Sequence, residues 1–298
     1  MTTTRRRLGP TTTKRRATRA MRARASVART RATATTRRPS RARAAAKSSS
    51  RDATTTKIER LDALLSRLGL TTRADAARFI AERVVTTDGA RATTRATSGK
   101  AKARAADVRV DGETLEHVDG LLIAMHKARG VVCSHDVREG TSVYDALPER
   151  WRRRKPGIES VGRLDKDTSG LLLLTDDGAL VHALTTPKKE IGKWYRVKTD
   201  KSIPRDAVEV FASGELTLEG ETKACKPAVC ELMDDETEAR LRLTEGKFHQ
   251  VKRMFAFFGC TVIELHRESF GSLTLERAGV LEPGDFTTLP LDFDFSEE

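Results

Sequence analysis

The chain has 298 residues, 38% of them hydrophobic, which is enough to bury a core in two ordinary domains and excludes a chain disordered throughout. Its formal charge of +13 is unevenly spread: residues 1–57 hold 18 Lys and Arg against the single acid Asp52, so this stretch alone carries +17, and the 37 basic residues after it are outnumbered by 41 acids. The basic balance therefore describes a leader, and gives no argument for nucleic-acid binding by the folded part.

The leader is rich in Arg, Thr, Ala and Ser and has no acid before Asp52. Such a composition buries too little apolar surface to offset chain entropy, so residues 1–57 are expected to be disordered. The functional reading is an organelle transit peptide, plastid first and mitochondrion as the alternative; the other reading is a basic RNA-binding tail. No secretory apolar region occurs, and no apolar run approaches the ~20 residues of a membrane span. Cys133, Cys225, Cys230 and Cys260 form no CxxC pair, and Cys225 and Cys230 have no histidines close by, so reduced structural thiols and no metal are expected.

In chain order, "IERLDALLSRLGL" from Ile58 sets Leu61, Leu64, Leu65 and Leu68 at helical spacing, with Gly69 as its stop. "TTRADAARFIAERVV" offers Thr72 as an N-cap and Ala76, Phe79 and Ile80 on one face; "VVTTDGARA" then reads as a hairpin turning at Asp88-Gly89. The polar insert "TTRATSGKAKARAADV" is expected to loop out of that hairpin, before a far strand at "VRVDG". From Leu121 the texture is mixed. "LLIAMHKARGVVCS" predicts two strands about a turn at Gly130, and "TSVYDAL" a short helix. "GLLLL" predicts a strand buried on both faces, followed by an Asp176-Asp177-Gly178 turn capping a helix that carries Leu180, Val181 and Leu184. In "KWYRVKT", Tyr195 and Val197 point one way and Trp194, Arg196 and Lys198 the other; "EARLRLTEG" turns Ala239, Leu241 and Leu243 inward. In "EGKFHQVKRMFAFFG", Val251, Met254, Phe255 and Phe258 form a buried helical stripe ended by Gly259.

Two acids, Asp165 and Asp167, stand just before four leucines, where an unpaired buried charge would be costly. Either they cap a turn or they do chemistry; Asp167, within Asp-Thr-Ser-Gly, reads as the turn residue. On the later helix Lys252 lies at the border of the apolar stripe and Arg253 opposite it, facing solvent or ligand. Lys252 is either a snorkelling side chain or the cation that keeps Asp165 ionised. "DTSG" also suggests an aspartic protease, but such enzymes need two loops sharing a proton and this chain has one.

The order of motifs carries more than any of them singly. The two helices and DG hairpin, opening on "RLD" and reaching "RADAARFIAERVV", resemble the small RNA-binding alpha-L module of a small-subunit ribosomal protein and of several RNA-modifying enzymes. That resemblance covers residues 58–115 and implies that Arg60, Arg73 and Arg78 meet RNA. "GRLDKDTSGLLLLTDDG", "GKWYRV", "EGKFHQVKRMFAFFG" and "VIELHRESFGSLTL" resemble the pseudouridine synthases, most of all the branch that modifies bacterial small-subunit ribosomal RNA (the RsuA type). The resemblance implies an α+β fold with a mixed, mostly antiparallel catalytic sheet, divided as leader 1–57, alpha-L domain 58–116 and catalytic domain 117–298. It implies Asp165 as the catalytic aspartate, Tyr195 stacking on the target uracil and Lys252 pairing with the aspartate. Arg163, with Lys127 and Arg253, would hold RNA.

Where relatives commonly show Asn-Lys-Pro, this chain has His126-Lys127-Ala128-Arg129-Gly130, a departure that bears on the geometry of that loop. The implied reaction isomerises a uridine without cofactor or metal. The expected partner is ribosomal RNA or a pre-ribosomal particle, with no membrane and a monomeric enzyme. The favoured substrate is organellar small-subunit RNA, with large-subunit RNA as the alternative. A catalytically silent ribosome-assembly factor is the rival of another class.

Overall fold

Four consecutive leucines can all be buried only if a strand has apolar neighbours on both faces. In the computed structural model, which describes residues 57–89, 92–96 and 98–297, Leu171 to Leu174 do this in the large eight-stranded sheet. The leader before residue 57, for which disorder and a transit function are expected, lies outside the described residues.

The N-terminal module comprises β1 (Ile58–Arg60), α1 (Leu61–Arg67), α2 (Ala76–Glu82), β2 (Val85–Gly89), β3 (Ala92–Arg95), β4 (Lys102–Arg104), β5 (Val108–Val110) and β6 (Glu113–Thr114). Leu61, Leu64, Leu65, Leu68, Ile80, Val85 and Val108 build its own core. Four expectations are corrected. Ile58 is not helical: it is exposed in β1, and α1 begins after the extended Arg60. The hairpin turns after Gly89, which pairs with Ala92, so Asp88-Gly89 belongs to the strand. The insert does not loop out, because β3 pairs with β2 and β4 returns to pair with β1, burying Ala103 and Ala105. Thr72 Oγ1 accepts the Asp75 N–H at 3.1 Å, capping the turn that leads into α2 rather than the helix itself.

The remaining elements are β7 (Leu122–Lys127), α3 (Glu149–Arg152), β8 (Glu159–Ser160), β9 (Thr168–Thr175), α4 (Gly178–Thr185), β10 (Lys193–Thr199), α5 (Ala207–Ser213), β11 (Val229–Leu232), β12 (Glu238–Leu243), α6 (Gln250–Ala256), β13 (Val262–Arg267), β14 (Ser269–Phe270), β15 (Leu273–Thr274), α7 (Leu275–Ala278) and β16 (Phe286–Leu289). The sheet runs β11-β12-β10-β13-β9-β7-β16, with β8 beside β9. Every pair is antiparallel except β13 with β9, giving the mixed, mostly antiparallel sheet expected. "TSVYDAL" forms a 3₁₀ turn closed by a Ser142–Asp145 capping box. The second strand expected after Gly130 shrinks to one bridge, Val132 with Ser142.

Side chains of β9 alternate between two cores: Leu172 and Leu174 face Ile123, Met125 and α6, while Leu171 and Leu173 face α4 and Phe270. Burying one leucine contributes about 1.5–3 kcal/mol, so this strand anchors the loop that precedes it. Gly170 lets β13 approach: a Cβ there would lie 2.2 Å from the Arg267 carbonyl oxygen. Asp177 caps α4 by accepting the N–H groups of Ala179 and Leu180. The module joins the rest of the chain through Lys155 N–H to the Arg67 carbonyl (3.0 Å) and Arg67 Nη1 to the Val118 carbonyl (2.8 Å). At that junction Gly69, at φ +73°, has no room for a side chain, since a Cβ would meet the Arg150 carbonyl oxygen.

Candidate active site

Asp165 ends the Val161–Asp165 segment, and its carbonyl accepts the Thr168 N–H at 3.0 Å, so a tight turn delivers its carboxylate immediately before the rigid β9. Lys252 comes from the first turn of α6, where Val251, Met254 and Phe255 bury the apolar stripe and leave its neighbour on the border, as the spacing predicts. Its Nζ lies 2.9 Å from Asp165 Oδ2 and 2.6 Å from Asp167 Oδ1. One ammonium thus grips two carboxylates, and Asp167 is more than the turn residue expected from its motif. Burial pushes the Asp167 carboxyl up, but the hydrogen bond and charge of Lys252 outweigh it and hold the group below its ordinary value. For Lys252 burial pulls down, while bonds to Asp167 and Asp165 carry its pKa above the ordinary lysine value.

These residues open into a cleft of about 790 Å³ lined by Arg163, Asp165, Tyr195, His249, Lys252 and Arg267, among others. Tyr195 projects from β10 on the same face as Val197, opposite Leu241 of β12 and Arg267 of β13. It is 8% exposed. Arg163 stands exposed at the cleft. A larger cavity, about 1290 Å³, lies where Trp194, Arg196, Arg240 and Glu268 point to the other face of the sheet. There Arg196 and Arg240 pair with Glu268, at 3.8 and 2.9 Å.

Two expected RNA contacts are corrected. Lys127 is 1% exposed and cannot reach a ligand. Its Nζ donates to the carbonyls of Thr168 (2.7 Å), Ala128 (3.1 Å) and Lys166 (3.5 Å), while the Gly130 N–H donates to Lys166 O at 2.7 Å. The lysine is a clamp beneath the Asp165 turn, and burial lowers its pKa. The departure at His126 faces away from this clamp: its ring is buried and Nδ1 lies 2.9 Å from the Leu281 carbonyl. Arg253 is occupied by Glu221 and by the carbonyl oxygens of Phe248 and Glu219, so it braces a loop instead of facing ligand. Arg60, Arg73 and Arg78 line neither cavity; Arg60 pairs with Asp62 at 2.5 Å, and Arg73 and Arg78 have acids only at 3.8–3.9 Å.

The sequence reading missed four residues of the cleft. His249 Nε2 lies 3.5 Å from Asp165 Oδ1, and Phe248 stacks on the His249 ring. Lys193 and Arg267 share the Phe270 ring, at 5.1 and 5.6 Å, and burial, followed by the charge of Arg267, lowers Lys193 to a pKa of about 8. The period-two pattern of "KWYRV" put Lys193 on the Tyr195 face, which was the available signal. All four cysteines are free thiols. Among the described residues no group of three or more His, Cys, Asp or Glu could hold a metal ion, and no helix is long and apolar enough to cross a membrane.

Comparison with known proteins supplies the family. Residues 121–257 match the family RNA pseudouridylate synthase. The chain is 45% identical over 167 residues to the ribosomal small subunit pseudouridine synthase A of Vibrio cholerae, covering 56% of this chain and 69% of the relative. It is 40% identical over 186 residues to that of Escherichia coli K12 (61% and 77%) and 37% over 232 residues to that of Yersinia pestis (77% and 94%). A solved pseudouridylate synthase superposes with a TM-score of 0.51 at 32% identity, covering 78% of this chain and 96% of its own. The chain therefore belongs to the RNA pseudouridylate synthases, and is an RNA pseudouridine synthase.

Proposed function

We propose that this enzyme converts a uridine of organellar small-subunit ribosomal RNA, in the plastid, to pseudouridine, with Asp165 as the catalytic carboxylate and no cofactor. The observation that carries the reading is the grip of Lys252 on Asp165 at 2.9 Å inside a cleft also lined by Tyr195. The relatives' names support the small subunit, and the composition of residues 1–57 supports import.

In the reaction the C1′–N1 bond breaks, the uracil turns, a C1′–C5 bond forms, and the proton lost from C5 is balanced by one gained at N1. The oxocarbenium character that develops at C1′ is stabilised by a nearby carboxylate, or captured by it covalently. Asp165 serves either by attacking C1′ or by removing a ribose proton, and on both routes the Lys252 ammonium at 2.9 Å holds its carboxylate in place. The target base must leave its stack to reach it, with Tyr195 as the aromatic platform. A cleft of about 790 Å³ suits one extruded nucleotide.

Carbodiimide mapping of ribosomal RNA from cells with and without the protein tests the substrate. One small-subunit uridine is expected to lose its signal, and a large-subunit site would redirect the assignment. Replacement by Asp165→Asn is expected to cost on the order of 10⁴-fold or more in rate. Modification that persists in cells carrying only this variant would remove Asp165 from the chemistry. A reporter fused to residues 1–57 is expected in the plastid; retention in the cytosol overturns import, and a mitochondrial signal changes the organelle.

A further inference from the structure

The loop that leads into α6 is held more firmly than an ordinary surface connection. Gln250, itself buried, donates from Nε2 to Glu245 Oε1 at 2.7 Å and accepts the Lys247 N–H at 2.8 Å. Glu245 also accepts the Lys226 N–H at 2.9 Å. Arg253 Nη1 donates to the Phe248 carbonyl and to Glu221, each at 3.0 Å. His249 closes the loop in the left-handed region at φ +47°, a conformation that residues other than glycine adopt only when their surroundings impose it.

The side chain that this framework presents is Phe248, 69% exposed on the rim of the cleft. A single exposed phenylalanine decides nothing, since isolated apolar side chains on a surface are common. Here, however, the ring lies against the His249 imidazole with centroids 3.8 Å apart and planes 22° from parallel. His249 in turn touches the catalytic carboxylate at 3.5 Å. A near-parallel pair of rings, one of them largely exposed, is the start of a stack that a planar base continues. Exposed Arg163 and Lys166 line the same cleft and supply the positive charge that a phosphodiester chain needs.

We infer that Phe248 is a stacking platform for a nucleotide flanking the target uridine. Extruding one base deprives its neighbours of a stacking partner, and a base laid on Phe248 recovers that loss at the rim while Tyr195 receives the uracil within. Stacking of this kind tolerates any base, so the platform contributes affinity and register and leaves sequence choice to other groups. The inference rests on the cleft being the uridine site.

The full-length enzyme tests it. Mapping total ribosomal RNA first locates the uridine that is modified, so an error about the ribosomal subunit shows itself separately from an error about the platform. An RNA fragment spanning that uridine, with 2-aminopurine on its 5′ or 3′ side, is then titrated with Asp165→Asn, used to hold the RNA unreacted, and with the same protein also carrying Phe248→Ala or Phe248→Trp. Fluorescence at one flanking position is expected to be quenched by the parent and the Trp form. In the Ala form the quench is lost and Kd rises roughly 5- to 150-fold, the range for losing one base–aromatic stack. Equal affinity and equal quenching with Phe248→Ala would overturn the platform and assign the exposed ring to a protein contact or to plain surface. Absence of quenching in the parent at both positions would overturn it as well.

Discussion

The catalytic cleft and the N-terminal module use positive charge in opposite ways. In the cleft, Lys252 is shared by two carboxylates within 3 Å, Lys127 is sealed beneath the Asp165 turn by three carbonyls, and buried Arg267 donates to the Leu171 carbonyl at 2.7 Å. In the module, Arg73 and Arg78 are mostly exposed, with acids only at 3.8–3.9 Å. A buried charge is costly unless paired, so these buried cations are each confined to one geometry. An exposed pair is worth about 0–1 kcal/mol and can exchange its partner for a phosphate. On the proposed function, the first arrangement suits a reaction and the second a polyanion.

The contrast can be broken first where burial is deepest. Arg154 Nε donates to Asp176 at 2.7 Å and Nη2 to the His117 carbonyl at 2.9 Å, and both ionic side chains are almost wholly buried. Arg154→Met leaves Asp176 an uncompensated charge and is expected to cost about 3–5 kcal/mol of folding stability in urea titrations. A loss below about 1 kcal/mol would place this pair with the surface pairs.

Next comes Lys252→Met, expected to lower kcat by roughly 10²- to 10³-fold, the size of effect seen when one preorganised electrostatic partner is removed. The Asp167 carboxyl, held below its ordinary value only against an opposing burial effect, should then titrate at higher pH. An NMR titration of the Asp167 carboxyl in Lys252→Met checks this, and an unmoved titration would mean that this carboxylate does not depend on the shared ammonium.

Much of the framework was legible because it is local. The Leu171–Leu174 run, the Asp177 cap and the stripe of Val251, Met254 and Phe255 are periodicities or spacings within one element, and each folds as its pattern predicts. What stayed hidden depends on distant chain. Lys127, beside a glycine turn, looks like a surface cation until Thr168, 41 residues away, supplies the carbonyl that buries it. Asp167 carries every sign of a turn residue, and only the arrival of α6, 85 residues on, gives it Lys252. The insert of the module stayed hidden because one of its strands, β4, finds its partner β1 across the two helices.

Lys193 sharpens the comparison through pH. Its pKa of about 8 lies below the ordinary 10.5 because burial, then the charge of Arg267, disfavours the ammonium in the folded state. Below pH 8 both folded and unfolded chains carry the proton, and the folded state bears the full penalty. Between about pH 8 and 10.5 the unfolded chain binds more protons, so this group makes stability rise with pH. Lys193→Met should therefore be more stable than the parent at pH 7, with the margin narrowing as pH passes from 8 to 10. A margin that stays flat would show that Lys193 titrates like a surface lysine.

The smallest effects belong to the module. An arginine that binds phosphate displaces counterions, so its removal lowers affinity for all sequences and reduces the dependence of log K on log salt by about one. Arg73 and Arg78 should each show this, because their acids at 3.8–3.9 Å compete weakly. Arg60 should show less. Its hydrogen bonds hold the Asp62 carboxyl below the ordinary value, and a phosphate must first replace that partner. Affinity for the substrate RNA measured across a salt series, in the parent and in Arg60→Ala, Arg73→Ala and Arg78→Ala, reads both differences. Equal slopes in all four proteins would leave the module's arginines as a solvated surface and put the whole of RNA capture at the cleft.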